Sequence, residues 1–589
     1  MLETRLGIGM QKLNARGVHL TYVSLFLVGV MWVFPFLHYR HQYPLTTFYQ
    51  EWWSALLGVL ALFPLVLRDY WQKPQIPRIV LLPVGLIGVI LLQYALGMIV
   101  YFDQVMLYVL YLLFAGLLIM LGARLRDCLG MHKMALVLAI FLLTGAELGA
   151  IIGILQHYRW STPLSPVIVM KVGAGVFGNM AQPNHYADYI ALGLVSLGLL
   201  QPRLKLGYVL LLSAPLLLVM TLSGSRSAWL YLLLITVLAW WWTRRDALQR
   251  PLLRYCQSLL AGFFLMHLLV QLPFMAGAVS NYNTVERLVD EASGGIRLFL
   301  WHEASLIFFQ SPWLGVGFGQ FAWQHFQLLP QLPPNNLVGL YNNAHNLVFQ
   351  LAAETGVAGL LVLFFALGSW LYGLYRVAEK PGAEYWWGYA ALGVLGVHSL
   401  LEYPLWYSYF IAVAAVLLGA LDVTRYRLEL RLVGRLSIGI VLALGFVTLM
   451  QFSVGYHQLE RLLMIRNLSE RSAFERMRSG MVELHGKTLL APYSELFLSS
   501  MIEINPDHLK EKLELNGRVM RFTPIGMVVY RHALLLAQDG QFEQAKTLMK
   551  QAKRSYREDL PVTISQMREL ADKDPAHFSA LLEFALENK

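Results

Sequence analysis

His19-Leu-Thr-Tyr-Val-Ser-Leu-Phe-Leu-Val-Gly-Val-Met-Trp-Val-Phe-Pro-Phe-Leu37 is the first in a series of apolar blocks. It contains no Asp, Glu, Lys or Arg and approaches the roughly 20 residues that a helix needs to cross the hydrocarbon of a bilayer. It lacks a small-residue cleavage site, so it reads as a retained helix and not as a removed signal peptide. Similar blocks follow at 53–67, 79–100, 105–122, 134–155, 186–200, 207–222, 228–242, 255–273, 346–374, 386–402, 405–421 and 436–452. That makes about thirteen spans. The 589 residues are 57% hydrophobic and 14% charged, against about 25% charged in ordinary soluble domains, and mean hydropathy is +0.52. A soluble enzyme, a disordered chain and a coiled coil are excluded. The expected fold is all-α, a polytopic helical membrane protein.

The net charge of +10 does not point to nucleic acid, because Lys and Arg fall in short clusters between apolar blocks, as topology signals do. One set comprises Arg5, Lys12 and Arg16, then loops carrying Arg68, Lys73 and Arg78; Arg124, Arg126 and Lys133; Arg203 and Lys205. It continues with Arg244, Arg245, Arg250 and Arg254; Arg376 and Lys380; and Arg425, Arg427, Arg431 and Arg435. This set holds about 21 basic residues against about 6 on the opposite loops, which assigns it to the cytoplasm. An odd number of spans then places the amino terminus inside and the carboxyl tail outside. Cys128 and Cys256, the two cysteines, each adjoin a basic cluster and so face a reducing compartment. A disulfide framework is excluded, and no zinc spacing exists.

A membrane domain is expected over 1–452 and a soluble helical domain over 453–589. Within the first, 274–345 is an outer loop too long to be a mere connector. It carries an amphipathic stretch, Ile296–Gln310, suited to lying along a membrane surface. Ser311-Pro-Trp-Leu-Gly-Val-Gly-Phe-Gly-Gln-Phe321 follows, whose proline and glycines rule out a regular helix. In the tail, Ala533–Tyr556, with Gly540 at a turn and Ala545 and Ala552 at small-residue positions, resembles a helix–turn–helix of tetratricopeptide type. A helical cap and a peptide-binding module both remain open for it.

Glu147, His267, Glu354, His398 and Glu402 fall within expected spans, where burying charge is expensive and function is the default reading. Interhelical hydrogen bonding competes, and is favoured for His267 and His398. The outer side collects more polar residues: Gly178-Asn-Met-Ala-Gln-Pro-Asn-His-Tyr-Ala187, Ser223-Gly-Ser-Arg-Ser227, Arg287 and Arg297, Tyr341-Asn-Asn-Ala-His-Asn346, and Glu402-Tyr-Pro-Leu-Trp-Tyr407. Arginine forks suit phosphate and diphosphate. A histidine can accept a hydroxyl proton near neutral pH, or hold the hydroxyl in place. Diphosphate leaves readily once its charge is stabilised. The one Asp-x-Asp, Asp572–Asp574, reads as a solvated helix end, and no Walker loop, Rossmann fingerprint or His-Glu-x-x-His is present. No metal or cofactor is called for, and the energy for transfer must arrive with the substrate.

These pieces, in this order, resemble the bacterial O-antigen ligase and polymerase superfamily and, within it, the PglL-type protein O-oligosaccharyltransferases. The resemblance rests on Gly178-Asn-Met-Ala-Gln-Pro-Asn-His185, Leu222-Ser-Gly-Ser-Arg226, Arg297 with Trp301, Pro312–Phe321, and Asn343-Ala-His-Asn346 entering Glu354-Thr-Gly-Val-Ala-Gly359. It implies a GT-C-like membrane domain in the bacterial inner membrane. It also implies transfer of a preassembled glycan from undecaprenyl diphosphate to an acceptor at the periplasmic face, without metal or nucleotide. By position, His345 matches the essential histidine of the long loop, and Arg226 and Arg297 match arginines that hold the lipid diphosphate, with Arg287 or Lys171 assisting. Tyr403 sits where family members carry a tyrosine implicated in transfer, beside Glu402 as a competing base. Gln182, Asn184 and His185 match a segment that helps separate protein-glycosylating members from lipopolysaccharide ligases, and Asn343 and Asn346 flank His345 as positioning groups. The expected acceptor is a Ser or Thr of a periplasmic protein such as pilin. An O-antigen ligase acting on lipid A–core, a repeat-unit polymerase, and a transporter of the polyprenyl-linked glycan are the competing readings. Whether His345 is a base or only orients the acceptor stays open.

Overall fold

The computed structural model describes residues 15–72, 74–170, 175–275, 291–332, 340–377, 382–465 and 470–587. Leaving aside helices of about one turn, the order begins α1 Ala15–Met31, α2 Phe48–Ala61, α3 Leu81–Ala95, α4 Phe102–Leu129, α5 Met131–Tyr158, α6 Pro183–Leu200, α7 Leu206–Leu222 and α8 Ser227–Arg245. It continues with α9 Arg250–Leu269, α10 Glu291–Gln310, α11 Phe321–Leu328, α12 Leu347–Val377, α13 Ala383–Ser399, α14 Ser408–Leu421 and α15 Arg431–Leu463. The tail adds α16 Arg471–Lys487, α17 Ala491–Ser500, α18 Leu509–Phe522, α19 Gly526–Gln538, α20 Phe542–Ser555, α21 Leu560–Lys573 and α22 Pro575–Glu587.

Each apolar block of the sequence lies on a helix. Among the described residues, seven helical segments are long and apolar enough to cross a membrane, and α7 and α14 are shorter apolar helices. Among the described residues, strand is confined to β1 Gln75–Pro77 pairing antiparallel with β2 Arg425–Arg427. The protein is an all-α polytopic membrane protein. It forms two compact units, one of residues 1–84, 111–294 and 362–449, the other of residues 85–110, 295–361 and 450–589.

In the first unit α5 and α6 meet along a seam of small residues. Gly145, Gly149 and Gly153 recur once per turn on α5, and Tyr186 and Tyr189 of α6 lie over them. A side chain at Gly145 would come within 2.0 Å of the Tyr189 hydroxyl, and one at Gly153 within 2.2 Å of that of Tyr186. Small residues are what permit such an approach where lipid supplies no hydrophobic drive between helices. The tyrosine hydroxyls are satisfied in place: Tyr186 donates to Gly149 O (2.7 Å) and Tyr189 to Trp32 O (2.9 Å). Every residue from His185 to Leu200 is buried, so α6 is a core helix apolar almost all round. Its amino-terminal end carries the candidate site. At the opposite end of the sequence block, Arg126 donates to the carbonyls of Ala420 and Asp422 (2.9 Å each), satisfying orphan acceptors at the end of α14.

In the second unit α12 breaks at Gly356 (φ 60°, ψ −155°), a conformation open only to glycine. The Gly-Pro-rich segment 311–321 supplies the missing partners. Val357 N–H donates to Pro312 O (2.7 Å), Ala358 N–H to Trp313 O (3.1 Å), and Gly317 N–H to Glu354 O (3.1 Å). Gln93 clamps the junction, donating to Leu314 O (2.6 Å) and Glu354 O (2.7 Å) and accepting from Phe318 N–H (3.0 Å). Glu354 Oε1 accepts from Phe321 N–H (3.2 Å), which gives this buried carboxylate a structural role. A Cβ at Gly356 would fall 2.6 Å from Gly315 N and Pro312 O, on top of about 1–3 kcal/mol of backbone strain. Gly356→Ala is therefore expected to lower the melting temperature and the monodisperse yield on size-exclusion chromatography. An unchanged melt would refute the docking of this segment on the break.

Sequence alone suggests that Ile296–Gln310 lies on the membrane surface. The structure instead turns Leu300, Ala304 and Ile307 of α10 into a small core with Phe321, Ala344 and Ala353, because these residues offer the apolar face a protein partner. Leu298 and Phe309 remain exposed. In the tail, α19 and α20 form a helical hairpin turning at Gly540 (φ 75°), with Ala533, Ala545 and Ala552 fully buried. Glu495 of α17 is a hub: it accepts from Tyr101 Oη (2.6 Å) and Arg518 Nη2 (2.9 Å), and its Oε1 lies 3.0 Å from His485 Nε2. Burial, with this carboxylate alongside, raises the Tyr101 hydroxyl well above the ordinary tyrosine range, so it stays a donor.

Candidate functional site

In the first unit, folding joins three motifs well separated in the sequence. Val176 N–H donates to Leu222 O (3.0 Å), laying the start of the 176–187 segment on the Ser223–Ser227 turn. Gln156 holds the next residues, accepting from Phe177 and Gly178 N–H (3.1 Å each) and donating to Gly178 O (3.0 Å). Asn179 is equally structural, donating to Leu37 O and Val167 O (2.8 Å each). Beside it, His38 is pushed down to about 4, mainly by burial and then by the charges of His41 and Arg40. Gln182 caps α6 by accepting from His185 N–H (2.5 Å), with Pro183 at the first helical position, where its missing N–H is not needed.

That cap aims two side chains at the third motif. Asn184 Nδ2 donates to Glu402 Oε1 (2.8 Å). His185 enters an aromatic box, its ring centroid 5.0 Å from Tyr407, 5.3 Å from Phe410, 5.2 Å from His398 and 6.2 Å from Tyr403. Tyr403 in turn stacks on Tyr407 (5.9 Å). Arg226 ends the Ser-Gly-Ser turn, where Gly224 has φ 65°, and stands immediately before α8. Tyr231, one turn into α8, lies 6.1 Å ring to ring from His398. Gln182, Asn184 and His185 at the start of α6, Arg226 before α8, and Glu402 and Tyr403 between α13 and α14 thus belong to one end of this unit, and the N–H groups at the two helix starts favour anions.

The second unit builds the other group around His345. Asn346 Oδ1 accepts from Val348 N–H (2.9 Å) and Phe349 N–H (3.2 Å), capping α12 as Asn does well. Asn343 Oδ1 accepts from His345 N–H (3.1 Å), and Ala344 N–H donates to Gln350 Oε1 (2.6 Å). Between these ties His345 adopts φ 50°, a left-handed conformation uncommon for residues other than glycine. The flanking asparagines are therefore backbone locks. Trp301 stacks on Phe349 (5.4 Å, 13° between planes), which sets α10 beside the start of α12. Arg297 is one turn from Trp301 on α10.

Behind this loop lies a pair whose members, on separate helices, share no local sequence pattern. Glu303 is fully buried and His325 nearly so, with Nδ1 2.8 Å from Oε2. The His325 ring meets Tyr341, which opens the His345 segment, edge to face at 5.6 Å. Glu303→Ala strips a buried imidazole of its partner, a cost of about 1–3 kcal/mol, whereas Glu303→Gln keeps an acceptor. The expected order of melting temperatures is parent, then Gln, then Ala; identical melts would show the pair to be inert.

Lys171 and Arg287 lie outside the described residues, as do parts of the long loop at 276–290 and 333–339. Among the described residues, no three His, Cys, Asp or Glu side chains converge as metal ligands would.

Comparison with known proteins matches three regions of this chain. Residues 176–200 match a protein glycosylation ligase family, 208–364 an O-antigen ligase family, and 386–568 the C-terminal region of a virulence factor membrane-bound polymerase family. Two relatives come from Acinetobacter baylyi. A general O-oligosaccharyltransferase is 28% identical over 421 residues, 68% of this chain and 70% of the relative. A ComP-specific O-oligosaccharyltransferase is 24% identical over 379 residues, 64% of this chain and 66% of the relative. By these matches the chain is similar to the O-antigen ligase superfamily and, within it, to proteins of the PglL type.

Proposed function

We propose that this protein transfers a preassembled oligosaccharide en bloc from undecaprenyl diphosphate to Ser or Thr hydroxyls of periplasmic proteins, pilin among them. The observation that carries the reading is the glycosylation-ligase match over 176–200, the segment that presents Gln182, Asn184 and His185. Kinship with two O-oligosaccharyltransferases supports it. On this reading the protein resides in the bacterial inner membrane, amino terminus in the cytoplasm. The region to residue 452 carries the chemistry, and 453–589 is a soluble helical domain in the periplasm.

The roles follow from the side chains. Arg226 and Arg297, with Arg287 or Lys171 assisting, neutralise the diphosphate, whose departure is limited by charge. His345 orients or deprotonates the acceptor hydroxyl. Glu402, held by Asn184, is the competing base, and Tyr403 with His185 shapes the acceptor approach. The hydroxyl oxygen bonds to the anomeric carbon as the bond to diphosphate breaks.

The test is intact mass of periplasmic and pilin proteins from cells with and without the gene, with lipopolysaccharide run alongside. Loss of a glycan-sized mass from protein, with lipopolysaccharide unchanged, is the expected result. Loss of the O-chain from lipopolysaccharide with unmodified proteins would make this a lipid A–core ligase.

A further inference from the structure

We propose that Asp188 and His398, a buried pair one helical turn beneath Asn184 and Glu402, are positioning residues that hold Glu402 and His185 for the acceptor approach and tune the readiness of Glu402 to take a proton. This rests on the function proposed above. Both side chains are fully buried, and His398 Nδ1 lies 3.0 Å from Asp188 Oδ2. Asp188 Oδ1 and His398 Nε2 have no hydrogen-bond partner among the described residues.

The pair is the lower rung of a ladder. Asn184 and Asp188 are one turn apart on α6, and His398 and Glu402 one turn apart where α13 ends, so each helix presents two polar groups on one face. The upper rung is Asn184 to Glu402 at 2.8 Å. The rungs are joined directly, because Glu402 N–H donates to His398 O (2.8 Å). His398 also faces the His185 ring at 5.2 Å. A shift of His398 therefore moves both groups that face the acceptor in this unit.

Packing alone does not demand a carboxyl–imidazole pair here. Apolar side chains of similar volume usually replace a buried pair without loss, and α6 is already keyed to α13 by Trp387 Nε1 donating to Ser196 Oγ (3.1 Å). A carboxylate and an imidazole kept in a membrane helix core are instead expected to serve function. In transfer the acceptor oxygen gains a bond to the anomeric carbon, undecaprenyl diphosphate leaves with the electron pair, and the hydroxyl proton passes to the base. The other titratable groups around the pair are His185 of α6, Tyr231 of α8, and Glu402, Tyr403 and Tyr407 between α13 and α14.

The experiment uses full-length protein in detergent with undecaprenyl-diphosphate oligosaccharide and an acceptor protein. It compares the parent with Asp188→Asn, His398→Gln and the double variant Asp188→Leu/His398→Phe. The double variant is expected to melt at or above the parent temperature, to lose roughly tenfold to hundredfold in kcat through misplacement of the reacting groups, and to keep the parent KM for donor. Asp188→Asn is expected to displace the acid limb of the kcat profile. A folded double variant with parent kcat and pH profile overturns the inference. Should the double variant fail to fold, Asp188→Asn decides alone: a parent-like kcat and pH profile overturns it, a displaced limb supports it. If the parent itself places no glycan on protein, the proposed function fails and this inference with it. If the parent transfers and the variants match it, this inference alone fails.

Discussion

Replacing His345 by Ala is expected to abolish glycan transfer while leaving protein level and donor assembly intact. General acid–base assistance contributes roughly 10²- to 10⁴-fold, enough to drop product below detection in a cell-based assay. His345 is held at φ 50° by Asn343 and by the cap at Asn346, so a companion variant should respect that backbone. Asn occupies the left-handed region more readily than most residues. His345→Asn should therefore fold as well as the parent and still be inactive. His345→Gln separates base from positioner: retained partial activity would assign His345 to orientation. Undiminished glycosylation by the Ala variant would remove His345 from the reaction.

Arg226→Lys is expected to lower transfer by about tenfold to hundredfold, the loss of one or two charge-assisted hydrogen bonds, with the effect concentrated in KM for the lipid donor. A guanidinium fork meets two phosphate oxygens at once, which a single ammonium cannot do. The turn is built for this residue: Gly224 supplies the positive φ, and Ser225 N–H donates to Ser223 Oγ (3.2 Å). Donor titration of the purified Lys and Ala variants checks it, with Ala the worse of the two. A Lys variant with parent KM would show that bidentate contact is unimportant.

The helices were legible in the sequence because hydrocarbon thickness imposes a length and an apolar composition on each block. The Pro-Gly segment at 311–321 likewise announced its irregularity. What it does was not legible: Gln93 lies more than two hundred positions before Leu314, and a glutamine that closes a distant backbone junction leaves no local pattern. Gln156 leaves no pattern either, although the residues it holds lie only 21 and 22 positions on. Glu303 was visible only as one charge in an amphipathic stretch, since its partner His325 belongs to another helix. Asp188 differs, because its signal was present. A carboxylate inside the apolar run Tyr186–Leu200 is costly by the same argument that marked Glu147 and Glu402, yet it stood in the shadow of the Gln-Pro-Asn-His motif beside it. His398, weighted toward a bland role when taken singly, gains its meaning only from that pairing.

The break in α12 bears on how the protein is made. A helix with an interrupted hydrogen-bond ladder has unpaired backbone groups that hydrocarbon does not tolerate. The groups that satisfy them, Gln93 and the carbonyls of Pro312 and Trp313, all precede α12 in the chain. When Leu347–Val377 leaves the ribosome its partners are already synthesised, so biogenesis can deliver the break to a waiting receptor site. Chains in which residues 311–321 fail to dock would instead insert this segment with the N–H groups of Val357 and Ala358 unpaired, a natural substrate for membrane quality control.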